Sequence, residues 1–233
     1  MDCKKISSAL PALLIAAGIV ISGFALKAGI DNIAFRDREV SVRGLAERTV
    51  KADNASWNVS YTITGDDLRA LYAQLEDKNA AVKSFVKECG IAEADITFDT
   101  PSVYEPQAER YGETNRNYRY ALTGTVNVNT TKVDDVYAMV GKQGALLARG
   151  IPVSNTYVNY TFNGLNSIKP EMIAEATKNA REAAAQFAKD SESALGKIKT
   201  ASQGQFSIDG LDSGKPYMKN VRVVSTVVYY LED

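Results

Sequence analysis

Histidine is absent from the 233 residues. That removes every serine–histidine or cysteine–histidine nucleophile pair and every histidine-based metal site. Cysteine is nearly absent: only Cys3 and Cys89 occur. Cys3 precedes a long apolar run, so it is not placed to be the lipidated cysteine that follows a lipoprotein signal. Cys89 alone can build neither an intrachain disulfide in the body of the chain nor a thiolate metal site, and it reads as a small buried residue at a helix end, with a reactive or intermolecular thiol as the alternative. An excess of one charge is also missing, with 27 Lys and Arg against 28 Asp and Glu and a formal net charge of −1. A nucleic-acid binder is expected to carry a basic excess or stripe, and none is found. Neither G-x-x-x-x-G-K-[ST] nor G-x-G-x-x-G occurs, so no phosphate loop is predicted. These absences point away from enzyme, cofactor, metal and nucleic-acid functions.

One long apolar run is present. Lys4 and Lys5 are followed by Ala9 to Leu26 without a charge. A spanning helix needs about 20 mostly apolar residues, and the run exceeds the roughly 7–15 residues of a cleaved signal core. Gly23-Phe24-Ala25 is its one weak small-x-small cleavage site. An uncleaved anchor is the favoured reading and a cleaved signal the alternative; a buried helix of a soluble protein is disfavoured by the lack of a polar face. Lys27, Arg36 and Arg38 flank the far end, so the positive-inside count is not decisive. The expectation is an inside N-terminus with the domain outside. The chain then divides into an anchor or signal segment over 1–29, a charged connector over 30–39 and one α+β domain over 40–233.

Beyond the connector, Val40 and Val42 open a short strand. Ala55, Trp57, Val59, Tyr61 and Ile63 alternate with Ser56, Asn58, Ser60 and Thr62, the signature of a half-buried strand. Asp66-Asp67 offers a helix cap. Leu68, Leu71, Tyr72, Leu75, Val82, Phe85, Val86 and Cys89 then share one helical face, closed by Gly90 with Ile91 behind it. Ile96 to Tyr104 and Tyr118 to Asn129 read as strands around a polar tip, Glu105 to Asn117. A shorter helix, Thr131 to Leu147, is weakened by Gly141 and Gly144. The pattern recurs: a strand through Thr156, Val158, Tyr160 and Phe162; a long helix from Glu171 to Leu195, with Pro170 near its first position and Gly196 closing it; and strands Ile198 to Ile208 and Val221 to Leu231, joined by a tip from Asp209 to Asn220. This predicts an α+β fold of two strand–helix–strand–strand units, helices packed on mainly antiparallel sheet, preceded by one N-terminal transmembrane helix.

The acidic pairs Asp66-Asp67 and Asp134-Asp135 fall at helix starts, where carboxylates favour the positive end of the dipole. Glu175 and Glu182 lie two turns apart on one helix and read as a solvated face rather than an acid–base pair. The sequons at Asn58 and Asn159 are the polar halves of alternating strands.

What remains are candidate contact residues. The helix Glu171 to Leu195 carries a small-residue stripe that includes Ala180 and Ala184, read as tight packing on its own sheet or as a subunit contact. The two tips exceed the usual hairpin loop of about 2–5 residues. Tyr104, Tyr111, Tyr118 and Tyr217, with Arg110, Arg116 and Arg119, give hairpin ends of a composition enriched at protein interfaces. The terminal strand is apolar on both faces (Val223-Val224, Val227-Val228, Tyr229-Tyr230), so it is either covered on both sides or paired with another chain. The candidate interface set is therefore Arg110, Tyr111, Arg116, Tyr118, Arg119, Ala180, Ala184, Tyr217 and Tyr229.

Three stretches carry a family resemblance: Val40-Ser41-Val42-Arg43-Gly44-Leu45-Ala46-Glu47-Arg48 with Lys51-Ala52-Asp53 and the Trp57 strand; the alanine-rich helix Ala174 to Ala188 read with Leu195-Gly196-Lys197-Ile198; and Ala201-Ser202-Gln203-Gly204-Gln205-Phe206-Ser207-Ile208 with the terminal strand. Together they resemble the SIMPL-domain family of bacterial envelope proteins (YggE-like). The resemblance covers nearly the whole chain after the anchor and contains no catalytic motif. It implies a periplasm-facing α+β domain, held at the inner membrane or released after signal cleavage, that assembles into rings, with a loose link to oxidative stress. The expected partners are further copies of the chain, the membrane and an envelope protein; no cofactor is implied.

Overall fold

Alternation in the Trp57 segment sets the largest sheet. Ala55, Trp57, Val59, Tyr61 and Ile63 are at most 7 % exposed, while the residues between them stay half-buried to exposed. The computed structural model describes residues 15–27, 29, 38–106 and 117–232. Within them the fold is mixed helix and antiparallel sheet, and it divides into two compact units. One holds 48–169 and 207–221; the other holds the described residues of 1–47, 170–206 and 222–233.

The N-terminal apolar run is helical over 15–27 (α1), with Ile15, Ile19, Ile21, Phe24 and Leu26 exposed. Among the described residues no helix is long and apolar enough to cross a membrane. Residues 9–14 of the run, and most of the connector, lie outside the described residues.

The first unit is built on β2 (Asn54–Gly65) paired antiparallel with β5 (Tyr120–Thr130) on one side and β6 (Val153–Thr161) on the other. Two short strands, β3 (Ile96–Phe98) and β4 (Ser102–Tyr104), flank the far side of β5. The predicted continuous strand Ile96 to Tyr104 is thus broken at Asp99–Pro101, where the proline has no N–H to give to the ladder. Helix α2 (Leu68–Glu88) buries Leu71, Leu75, Val82, Phe85 and Val86 in this sheet's core. Asp67 caps it, accepting from the N–H groups of Arg69 and Ala70. Its C-terminus follows the predicted scheme. Gly90 has φ +92°, its N–H donates to Lys87 O, and the Ile91 N–H donates to Val86 O, which is the Schellman pattern that glycine favours. The predicted helix Thr131 to Leu147 is two pieces, α3 (Val133–Gly141) and α4 (Gly144–Ala148). The two glycines that weaken it sit at the break, where they make helix continuation costly. Helices α2, α3 and α4 all send side chains into one core, around Trp57 and Phe85 with ring centroids 6.5 Å apart. The Trp57 indole N–H donates to Thr156 Oγ1 at 2.9 Å, so the buried ring leaves no orphan donor.

The second sheet has four strands: β1 (Glu39–Lys51), β9 (Met218–Glu232) and β7 (Ala194–Gln203) in that order, with β9 in the middle and a short fourth strand also paired to β9. The Leu231 N–H donates to Arg38 O, and Arg222 pairs with Glu47 at the other end of β1. The doubly apolar terminal strand is therefore central, with a strand on each side; its Val221, Val223, Val227 and Tyr229 face is buried. The second predicted strand–helix–strand–strand unit is distributed: β6 joins the first sheet, while the later strands join β1 in the other.

Helix α5 (Leu165–Asp190) differs from expectation at both ends. Pro170 lies inside it, and it stops at Asp190 rather than Leu195. The stop is made by Glu192 at φ 56°, with Ser193 N–H donating to Ala188 O and Glu192 N–H to Lys189 O. Leu195 and Gly196 belong to β7. A glutamate in the left-handed position gives no sequence signal, so the apolar period reads on past the true end. The predicted tip Asp209 to Asn220 is also shorter, because β8 (Ser207–Gly210) pairs with β9.

Met172, Ala176, Ala180, Ala184 and Ala188 form the buried stripe of α5. The close approach is made at Gly44 of β1. A Cβ there would lie 1.8 Å from Ala176 O and 2.5 Å from Ala180 N. Asn179 adds a hydrogen bond to Leu45 O.

Candidate functional site

Among the described residues the titratable groups do not converge on one place. Tyr61 has its phenol pushed up to about 12, by burial first and then by the charge of Glu76. Its hydroxyl donates to Asn79 Oδ1 at 2.7 Å, a structural bond beneath α2. Burial likewise raises the Cys89 thiol, the opposite of what an activated thiolate needs. Glu93 is held down to about 2 by hydrogen bonds from Lys83 first and then Lys87, and their charges; Glu93 and Lys87 are exposed and Lys83 half-buried. Among the described residues no three Cys, Asp or Glu side chains gather as a metal site. A shallow cavity of about 330 Å³ beside the start of α3 is lined by Lys51, Lys132, Asp134 and Asp135. Lys51 and Asp134 close an ion pair there at 2.5 Å.

The acidic pairs sit as local structure. Asp67 is the α2 cap, whereas Asp66 accepts the Arg119 backbone N–H at 2.8 Å. Asp134 and Asp135 occupy the first turn of α3. The outer face of the first sheet is a ladder of neutral polar side chains: Asn54 to Asn129, Asn58 to Asn127, Ser60 to Thr125 and Thr62 to Thr123, all between 2.6 and 3.0 Å. Asn58 of the first sequon is thus spent on a cross-strand amide bond.

The expected interface residues scatter. Arg110, Tyr111 and Arg116 lie outside the described residues. Tyr118 and Arg119 precede β5; Arg119 pairs with Glu105 at 2.8 Å and stands 5.0 Å over the Tyr120 ring, so it ties the root of the 105–117 tip. Tyr217 is half-buried and packs edge-on against Tyr137 at 5.0 Å and Tyr160 at 6.4 Å, while its carbonyl accepts the Ala52 N–H. It is a core-edge residue of the first unit. Ala180 and Ala184 are 0 % exposed and Tyr229 is 3 % exposed, in one cluster with Val42 and Val227. Of the two readings of the alanine stripe, this is packing on the chain's own sheet. The physical reason is Gly44, which lets the helix backbone settle where a side chain would hold it off.

Sequence reasoning missed the rim formed by β3 and β4. Phe98 and Val103 stand opposite Val126 and Leu122, on the helix-facing side of the sheet, yet they are 41 % and 50 % exposed. Tyr104 follows at 40 %. These strands pair with β5 on the side away from β2, and each is only three residues long. Such short strands give alternation little length in which to show itself. Residues 107–116, the greater part of the predicted tip, lie outside the described residues. Exposed apolar side chains along a strand edge are the geometry by which one chain contacts another; among the described residues this rim and the tip root are the candidate interaction surface.

No curated protein compared with the chain matches it. The sequence model of one family does match, over residues 40–227. That span takes in both units, from the Val40 strand through Val227 of β9, and the chain belongs to the SIMPL family, described as protein of unknown function (DUF541).

Proposed function

We propose that the chain is a non-enzymatic envelope protein, held at the inner membrane by its N-terminal apolar run with the SIMPL domain in the periplasm, and that it works by contact with further copies of itself. The observation that supports this most is the exposed apolar pair Phe98 and Val103 on strands that form an edge of the first sheet among the described residues. The apolar run supports the anchor, and the scattered, structurally employed titratable groups support a contact role over catalysis. The test is the mass of the full-length chain in detergent, corrected for bound detergent, by light scattering. An oligomer of defined size is expected; a strict monomer at every concentration overturns the reading.

A second reading, a binding module for an envelope partner or small ligand, is favoured by the long Tyr- and Arg-containing tip 105–117. Deleting 107–116 separates the two. Lost assembly supports the first reading, while intact assembly with lost partner capture supports the second.

A further inference from the structure

Charge is missing from the outward face of the three long strands of the first sheet. The chain carries 27 Lys and Arg and 28 Asp and Glu. Along β2 the outward positions, 54 to 64 by twos, are Asn, Ser, Asn, Ser, Thr and Thr, and their register partners on β5 and β6 are Asn, Thr, Tyr and one Ala. Charged residues would keep such a face in water equally well, so solvation alone does not explain their absence. Packed sheets meet through apolar inner faces, which this face does not offer, and an ionic guest would find no counter-charge among these positions.

One row across the face differs from its neighbours. Tyr157 of β6 stands opposite Asn58, Asn58 opposite Asn127 of β5, and Asn127 opposite Thr97 of β3. The Tyr157 ring is 64 % exposed. Asn155 and Asn159 flank it on the same side of β6, each about 7 Å along the strand, and both are exposed. Three carboxamides therefore surround one open aromatic ring. The middle of the row is held in place: Asn58 Nδ2 donates to Asn127 Oδ1 at 2.6 Å, and Asn127 Nδ2 donates to Asp99 Oδ1 at 2.8 Å. Asn58 keeps a second N–H, and its Oδ1 reaches solvent without a partner among the described residues. An amide already fixed by its neighbour loses little further freedom on binding.

This arrangement selects a chemistry. An exposed phenol ring packs against C–H groups, while carboxamides, which both donate and accept, match O–H groups that do the same. A pyranose carries C–H groups on its ring face and hydroxyls around its edge. Steps of about 4.8 Å from strand to strand continue the polar contacts beyond the first ring. We infer that the Tyr157–Asn58–Asn127 row is a binding surface for an uncharged polysaccharide strand, with one sugar ring stacked on Tyr157 and its hydroxyls on Asn58, Asn155 and Asn159.

Calorimetric titration of the full-length chain with cellohexaose and with chitohexaose, in a detergent without a sugar headgroup, tests this. The first probe is a hydroxyl-only chain and the second an N-acetylated one, so a response to one names the source and a response to both names the shared ring. A saturable heat for at least one probe is expected, weakened about tenfold in Tyr157→Ala and weakened also in Asn159→Ala. Phe187→Ala removes a ring of similar exposure, 60 %, from α5 and keeps wild-type binding. The replaced side chains are exposed, so folding is preserved, which circular dichroism checks; Asn159→Ala decides if Tyr157→Ala does not fold. No saturable heat for either probe, a heat unchanged in Tyr157→Ala, or an equal loss in Phe187→Ala overturns the assignment. So does a Tyr157→Ala chain of lower assembly mass with no oligosaccharide heat in wild type, because the face then meets a second copy. Sugar binding does not rest on self-assembly, so either inference can fail alone.

Discussion

Gly44 is the residue on which the second unit turns. With any side chain there, the added Cβ falls within bonding distance of the Ala176 carbonyl oxygen, and the fixed backbone of α5 cannot yield as a flexible side-chain tip can. Gly44→Ala is expected to cost about 3 kcal/mol or more, the upper end of overpacking penalties, measured by urea unfolding followed by circular dichroism. The same change at Gly210, where an added Cβ meets nothing within 4 Å, is expected to change stability little. A pH dependence belongs to this scale too. Glu93 is held near 2, below its ordinary 4.5, by Lys83 and Lys87. A carboxyl depressed by folding stabilises the native state above its unfolded value, and that contribution disappears as pH falls through the folded value. The advantage of wild type over Glu93→Gln is therefore expected to be level above pH 4.5 and to vanish between 4.5 and about 2. Because Glu93 and Lys87 are exposed and Lys83 is partly so, the energy is small, so carboxyl NMR titration of Glu93 is the sharper readout; a midpoint at the ordinary value contradicts it.

Single residues also decide how far the elements were legible. Where a segment is long and one-sidedly buried, its pattern is written in residue types: the Trp57 strand, and α2 with Asp67 before it and Gly90 after it, follow the sequence reading. The end of α5 was hidden because its turn is made by Glu192, and Gly196, the residue that resembled a cap, serves β7 instead, beside Tyr230 O and Glu232. Pairing partners were less legible than the strands themselves. No local pattern distinguishes β6 as the neighbour of β2, or β9 as the strand between β1 and β7, since non-local pairing is set by what each sheet must bury. The alanine stripe was read in both of its senses, and Gly44, far off in sequence, is what selects one. Two opposite substitutions test the helix ends. Glu192→Gly removes a side chain from the left-handed region and is expected to stabilise by about 1 kcal/mol. Gly90→Ala puts one there, at φ +92°, and is expected to destabilise by about 1–2 kcal/mol. Unfolding midpoints of the two variants should move in opposite directions; a shift of the same sign in both would show that the backbone conformation at these turns is not what sets their preference.

For the molecule as a whole, the question is which surface meets another chain. The buried faces of both sheets are committed to internal packing, and between β2 and β5 the outer face of the first is a ladder of paired amides and hydroxyls. Of the strand edges among the described residues, the β3–β4 rim has exposed apolar side chains, Phe98 and Val103, standing on the core side. An edge of this kind associates unless a charge blocks it. Val103 is half exposed on a three-residue strand, so Val103→Lys adds a charge that reaches solvent without entering the core. Its expected effect on unfolding is within about 0.5 kcal/mol, as for surface changes elsewhere, while the mass of the full-length chain in detergent falls towards that of the monomer. Tyr157→Lys, on the opposite edge at β6 where the ring is 64 % exposed, supplies the comparison. If the mass falls only for Val103→Lys, the contact runs through the β3–β4 rim. If it falls only for Tyr157→Lys, the β6 edge carries it instead. If both variants keep the wild-type mass and stability, the copies meet through neither edge, and assembly through the sheet edges of the first unit is wrong.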